Sequence, residues 1–455
     1  MLRGFCVVVS LLAVMLLAGC PSPTPPSKPN MGGQGKTTTE TTEGSSTAST
    51  ETPAAPADDA EAVKQLEAGK HTLKRDDAGH VVEVRLQPLG DKQQTLEVLK
   101  LVAKLPSLAR LYATGPDVTD EGLVELKPLK NLKLLNLDQA SVGDEGMAHL
   151  VDLPLADIDL KLTNVQDAGV KHLSKIKSLK HLKLVKTKVT DDGMPALADL
   201  PNLETVDLQD VNTVGNKSLP IFAGLKKLRT LRVWGTTFEG EGIAPIGSMT
   251  NLRSLSMEKA VVNDQNVGLF KNLTNLEKLI LTGTFVTDTG MQQLAGLTKL
   301  REIELRGAPV GTQGMSWISG MQELDKLDLS ETPTASASLQ PIGKLPKLKE
   351  LNLWATLIND EGVAHLADLK GLTYLNLDNT RISDAALDTV AKFGDLEFLH
   401  IGSCGEITDA GVAKLHGLKK LKKIHLTFLQ NVNPDAVDAL KDAIPALKED
   451  GAVVY

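Results

Sequence analysis

Cysteine is almost missing from this sequence: three residues in 455, at positions 6, 20 and 404. A disulfide framework needs more, so buried apolar side chains must hold the fold together. Aromatics are nearly as scarce, fourteen in all, and wherever they gather is informative. The near-continuous apolar run Phe5 to Ala18 falls short of the roughly 20 residues a membrane-spanning helix needs. Positive charge is not in excess. The net charge of −8 argues against broad nucleic-acid binding. No nucleophile–base pair, glycine-rich phosphate loop or zinc-ligand spacing is present, and scattered carboxylates do not make an active site. Neither an enzyme nor a bound cofactor is expected.

What is present begins with an export signal. Met1-Leu2-Arg3 gives a positive start, the apolar run follows, and Leu17-Ala18-Gly19-Cys20 closes it, as in a secretory leader. That tetrapeptide resembles the lipobox of bacterial lipoproteins. The resemblance implies cleavage after residue 19, a diacylglycerol on the Cys20 sulfur and anchoring in a membrane of the cell envelope. Pro21 leaves inner-versus-outer sorting open. Only Cys404 then remains as a free thiol. Residues 20–60 are rich in Pro, Ser, Thr and Gly and bury too little to offset ordering entropy. They read as a tether spanning about 35 Å as a flexible coil.

From residue 81 the chain repeats. A pattern L-x-x-L-x-L opens at Leu108, Leu132, Leu155, Leu179, Leu203, Leu228, Leu252, Leu276, Leu300, Leu324, Leu348, Leu372, Leu396 and Leu421, mostly 24 residues apart with one 23 and two 25s. Val82-Val84-Leu86 looks like a degenerate strand ahead of them. In each unit an alternating segment precedes a helically spaced one, as in Leu182 and Leu184 followed by Met194, Leu197 and Leu200. These fourteen units are identified as leucine-rich repeats. The resemblance implies an α/β solenoid, with a curved parallel sheet on the concave face and helices on the convex one. The sheet would be roughly 60 Å long at its inner side. Domain limits follow: leader 1–19, lipidated cysteine and tether 20–60, N-terminal cap and degenerate repeat 61–107, repeats 108–444, C-terminal cap 445–455. In the N-terminal cap, Glu61 to Ala68 and Thr95 to Leu105 read as helices, with a turn at Asp76 to Gly79 between them.

The segment LEFLHIGSCGEITDAGVAKL, residues 396–415, is similar to the cysteine-containing repeats of F-box and ribonuclease-inhibitor-like proteins. There a Cys or Asn inside the turn bonds backbone groups of the next coil. Cys404 holds that position here, and Thr163, Thr187, Thr236, Thr284, Thr332, Thr356 and Thr380 hold it in other units. A structural ladder satisfying buried turn amides is expected. Val211, Leu429 and Pro116 depart from it.

A second motif recurs after each strand: VTDEGL at 118, VGDEGM at 142, VTDDGM at 189, VTDTGM at 286, INDEGV at 358, ITDAGV at 407. Ser, Thr or Asn ahead of a helix caps it, and acidic residues in the first turn suit the positive helix end. Architecture explains the motif. The alternative is a column of Asp residues binding Ca²⁺, which wants six to eight oxygens where each coil offers one or two.

If the coils hold no reagent, function belongs to the outward strand positions: the second, fourth and sixth residues after each opening leucine. Trp234, Trp354, Tyr112 and Tyr374 all fall there. The densest group lies on the last four strands: Glu350, Asn352 and Trp354; Tyr374, Asn376 and Asp378; Phe398 and His400; Lys423 and His425. Trp and Tyr are common interface anchors, so this group and Trp234 are the candidate partner-binding residues. The competing account is that aromatics simply suit strands. His400 and His425 share a row, but a metal site would need a third ligand. A Lys-rich unit (Lys171, Lys175, Lys177, Lys180, Lys183, Lys186, Lys188) beside Asp157, Asp159 and Asp207 is a second, electrostatic candidate. Val211 to Pro220 and Pro333 to Pro341 break pattern. The first should form an irregular convex loop, and the second should replace its helix with turns.

The expectation is therefore a lipid-anchored, non-catalytic binding protein holding a protein or peptide on its concave face, with a glycan less favoured and no nucleic acid. An adhesin resembling internalins, an envelope spacer and a ubiquitin-ligase adaptor are its rivals. No F-box-like module precedes the repeats, and the leader contradicts a cytosolic adaptor.

Overall fold

A computed structural model of the chain describes residues 57–455. The leader, Cys20 and most of the tether lie outside the described residues. The first helix begins at Ala60, one residue before the expected 61. Asp59 caps helix Ala60–Ala68 by accepting from the Ala62 amide, and Asp58 accepts from the Val81 amide.

Next comes an antiparallel hairpin, Thr72–Arg75 with Val81–Arg85, closed at Gly79, which sits at φ +88° where glycine carries no steric penalty. The expected turn at Asp76 is this hairpin's tip. The strand after it uses Val81, Val84 and Leu86 as its three-then-two apolar step, so Val81 rather than Val82 opens it. Val84 lies opposite Leu111 in register, and both are fully buried. Helix Lys92–Val102 starts three residues before the expected Thr95. Asp91 caps it, with its carboxylate 2.7 Å from the Gln94 amide.

The repeats then deliver one short parallel strand each, paired in chain order and residue for residue, from Arg110–Tyr112 through Lys423–His425. Among the described residues the sheet has seventeen strands. Three residues suffice for a strand because the leucines of each L-x-x-L-x-L step into the same continuous core as those of its neighbours. No coil could bury that face alone. Leu348, Leu351 and Leu353, for example, are all buried.

The convex side is less uniform. Short α-helices occur where an Asp begins the turn, as at Asp120–Val124 and Asp384–Val390. Several other units close with 3₁₀ turns, as at Gly240–Ser248 and Gln313–Gly320. Pro333 to Pro341 keeps a helical element after all: a 3₁₀ turn Ser336–Ser338 runs into helix Leu339–Ile342. Pro341 is tolerated because first-turn amides have no intrahelical partner to lose. In the other irregular unit, 3₁₀ turn Asn216–Ser218 runs into helix Leu219–Gly224.

The C-terminal segment does more than cover the last coil. After helix Pro434–Ala443, residues Val453–Val454 pair with strand Lys423–His425 as one further parallel strand. Tyr455 anchors the end by donating its hydroxyl to the Val432 carbonyl at 2.6 Å.

Candidate functional site

The recurrent Asp resolves first. Each carboxylate accepts the backbone amide at the start of the next coil's turn: Asp120 from Gly143 (2.8 Å), Asp144 from Gln166 (2.7 Å), Asp167 from Thr190 (2.7 Å), Asp384 from Thr408 (2.8 Å), Asp409 from Asn433 (2.7 Å). Where that next residue is Thr or Ser, its hydroxyl donates to the second oxygen, as Thr287 does to Asp264 and Ser383 to Asp360, both at 2.7 Å. The amide and side-chain amide of Asn433 hold the Asp409 carboxyl below its ordinary value. The following glycine has a matching reason. A Cβ at Gly146, Gly169 or Gly411 would run into the Asp of the preceding coil. The motif splices one coil to the next, and its oxygens are engaged in doing so. Among the described residues, no group of three or more His, Cys, Asp or Glu side chains is arranged to hold a metal ion.

The ladder differs from expectation in two ways. Thr163, Thr187, Thr284, Thr332, Thr356 and Thr380 do not serve amides of the next coil. Each donates its hydroxyl to a carbonyl three residues back in its own coil, for instance Thr356 to Leu353 at 2.7 Å. Cys404 alone reaches across coils, its Sγ lying 3.3 Å from the Leu377 carbonyl and 3.6 Å from Thr380 Oγ1. Burial raises its thiol pKa, which makes it unreactive. Thr236 is not part of the ladder at all; it is exposed. Gly235 ahead of it adopts φ +92°, like Gly115 at +98° before Pro116, whereas most of these left-handed positions sit near +55° to +70°. The wider turn swings the next residue outward.

The concave face brings most of the predicted binding residues together. Strands Glu350–Asn352, Tyr374–Asn376, Phe398–His400 and Lys423–His425 are consecutive neighbours. The rings of Tyr374 and Phe398 stack with centroids 4.5 Å apart and planes 4° from parallel. His425 meets Phe398 edge-on at 5.3 Å and His400 at 4.7 Å. Asp378 Oδ2 lies 3.7 Å from His400 Nε2. Burial lowers the His400 pKa against the opposing Asp378 charge; burial lowers that of His425 too, helped by His400 and Lys423. Asp378 Oδ1 and the Nε2 atoms of both histidines are buried without a protein hydrogen-bond partner. Asn352 and Asn376 each accept a local backbone amide, and Asn352 also donates to Asp328 at 2.9 Å. Trp354 stands at the rim with the Arg306 guanidinium 4.9 Å from its ring. Trp234 is not part of this group; it lies five strands away under Lys259.

The Lys-rich unit does not form a patch. Lys183 pairs with Asp159 (3.1 Å), Lys186 with Asp210 and Lys180 with Glu204, while Lys177 donates to two backbone carbonyls. Burial would lower the Lys183 pKa, but its hydrogen bond to Asp159 raises it overall. On the neighbouring strand Arg232 covers Asp207 at 3.2 Å, leaving that carboxylate 7% exposed. The concave charges here answer one another.

Two features escaped the sequence reading. Phe428, just past the last concave strand, is 83% exposed at φ +60°, a conformation that a bulky residue seldom adopts. Val261, Phe285, Pro309, Pro333 and Leu357 occupy the same rim position in five successive coils, and the last four are exposed. Both were visible as apolar residues at turn positions filled in most other coils by polar residues or Gly.

No curated protein matches this sequence. Among solved structures, an internalin of Listeria monocytogenes is similar over 72% of this chain and 88% of its own, at 21% identity and a TM-score of 0.54. A plant peptide hormone receptor, RGFR1 in complex with RGF2, aligns over 81% of this chain and 58% of its own, at 18% identity and a TM-score of 0.44. The TLR13–ssRNA13 complex aligns over 80% and 53%, at 21% identity and 0.46. A model described as a leucine-rich repeat matches residues 395–415. The model of the leucine-rich repeat region matches residues 155–387, more than half of the chain, and the protein belongs to that family.

Proposed function

We propose that this protein is a lipid-anchored binding protein of the bacterial cell envelope. It holds a protein or peptide on the concave face of its solenoid and performs no covalent chemistry. The observation that carries the reading is the stacked Tyr374–Phe398 pair, flanked by His400, His425 and Asp378 atoms without protein partners. In a chain with fourteen aromatics, rings gathered at the surface supply the rigid anchors that dominate interfaces, and buried polar atoms lacking a partner are costly to leave unmatched. The acidic balance supports a polypeptide over a nucleic acid. Cys20, carrying the lipid, and the tether would hold the face away from the membrane. An adhesin uses the same surface with a partner outside the cell; an envelope spacer would need no partner.

The test is a pull-down from detergent-solubilised envelope with the full chain and with a variant carrying Trp354→Ala, Tyr374→Ala and Phe398→Ala, checked for folding by circular dichroism. A protein held by the native chain and lost by the variant is the expected result. One held equally by both overturns the reading, and no capture at all favours the spacer. In the same fractions, Cys20→Ser should leave the membrane pellet; if it stays there, the anchor is elsewhere.

A further inference from the structure

Along the outermost row of the last four strands stand Glu350, Tyr374, Phe398 and Lys423, adjacent in register. The two rings stack face to face, so they present their edges outward. Elsewhere on this row several charges are matched across strands: Glu83 by Arg110, and Glu302 by both Lys278 and Lys326, the latter opposite Glu350 in register but engaged by Glu302 and Glu304 at 2.7 Å. Glu350 and Lys423 are exposed, and neither makes an ion pair among the described residues. They stand three strand spacings apart, about 14 Å. That exceeds the Debye length of about 8 Å at physiological salt, so neither neutralises the other.

An apolar pair of rings thus carries an unmatched anion at one end and an unmatched cation at the other. Resting on the reading that the concave face holds a polypeptide, we propose that this row takes an extended segment laid along the solenoid axis. The segment bears a basic side chain over Glu350, an apolar centre over Tyr374 and Phe398, and an acidic group over Lys423. Four residues of extended chain cover about 13 Å, which matches the spacing between the charges. A neutral glycan would leave both charges unanswered, and a uniformly charged ligand would oppose one of them.

The test uses the full chain and three labelled, end-blocked synthetic peptides with one apolar centre. One has arginine at one end and glutamate at the other, one has glutamate at both ends, and one has arginine at both. Fluorescence anisotropy at low salt should show the mixed peptide binding two- to fivefold tighter than the others, the range of exposed ion pairs. Glu350→Lys should shift the preference to the doubly acidic peptide and Lys423→Glu to the doubly basic one, and the differences should shrink in 0.5 M salt. Both substituted residues are exposed and unpaired, so both variants should keep the fold. If the native chain binds all three alike and loses all three on Phe398→Ala, the concave face binds peptide but the charge assignment is wrong. If no peptide binds, the assignment fails, and the envelope pull-down still decides separately whether the face is used.

Discussion

Strands Asp157–Asp159 through Thr230–Trp234 and strands Glu350–Asn352 through Lys423–His425 share one backbone, one repeat length and one apolar underside. Their outer surfaces are opposites. In the first group Lys183 meets Asp159, Arg232 meets Asp207 and His181 meets Thr205, so most of the polar side chains answer one another. In the second, rings stack on rings, and the polar atoms beneath them lack protein partners. A solenoid can stabilise itself with its concave side chains or present them to something else, and these two regions divide the tasks. Function is read from the outer positions that do not complete one another.

The largest expected effect would erase the contrast. Asp167→Ala and Asp384→Ala each remove an inter-coil splice, one below each region. Each should cost about 2 kcal/mol, the worth of a hydrogen bond to a charged group, in denaturant unfolding. A loss confined to one region would mean the scaffold is not shared. The next largest effect sharpens the contrast. Arg232→Met leaves the buried Asp207 carboxylate short of a donor and should destabilise by about 1–2 kcal/mol, whereas His400→Leu removes a half-buried imidazole whose Nε2 has no hydrogen-bond partner and should be neutral or stabilising by up to about 1 kcal/mol. Equal losses from both would show that the C-terminal face is as self-sufficient as the other.

The smallest effect separates the ends by pH. The folded pKa values of His400 and His425 are depressed, so the unfolded chain binds more protons at mildly acidic pH. Their contribution is fully present above about pH 6.5 and is lost as pH falls below it. At the other end Glu83 is surrounded by Arg110, Arg85 and Lys74. Against the burial that would raise it, these hold its pKa to about 2. Its contribution is present above about pH 4.5 and lost as pH drops towards 2. Unfolding midpoints should therefore dip between pH 7.5 and 5.5 in the native chain and dip less in a His400→Asn, His425→Asn variant, where His71, its pKa also lowered by burial, still contributes. An unchanged dip in that variant would assign the effect to other groups.

Much of this was legible beforehand because leucines 24 residues apart admit one way of burying themselves. The candidate face was legible too, since the strand period fixes which residues point outward. What stayed hidden depends on directions that spacing does not encode. A threonine hydroxyl can turn to its own coil or to the next, and Thr356 turns to its own. Gly235 permits a wider turn than its neighbours, and only the realised φ shows that Thr236 leaves the ladder. That Lys180, Lys183 and Lys186 are paired by the strands beside them follows from register, which is set by the whole stack. Phe428 was overlooked because its unit was read for leucines and not for what fills the left-handed turn.

The splices also define how the molecule bears load. Carboxylate–amide bonds joining coil to coil lie in series along the axis, so tension applied between the two ends of the repeats passes through each of them. Asn216 and Ser336 take the same part where Asp is missing, accepting the amides of Glu239 and Asn359. Among the described residues, the junctions after Gly240 and Thr312 have no such acceptor: Asn263 turns its amide to Asn266 of its own coil, and the Ala335 amide meets no side chain. There the cross-coil contacts take another form, with Asn266 donating its side-chain amide to the Gly240 carbonyl and Ser338 its hydroxyl to Thr312 Oγ1. The aromatic face lies wholly beyond the second of these junctions.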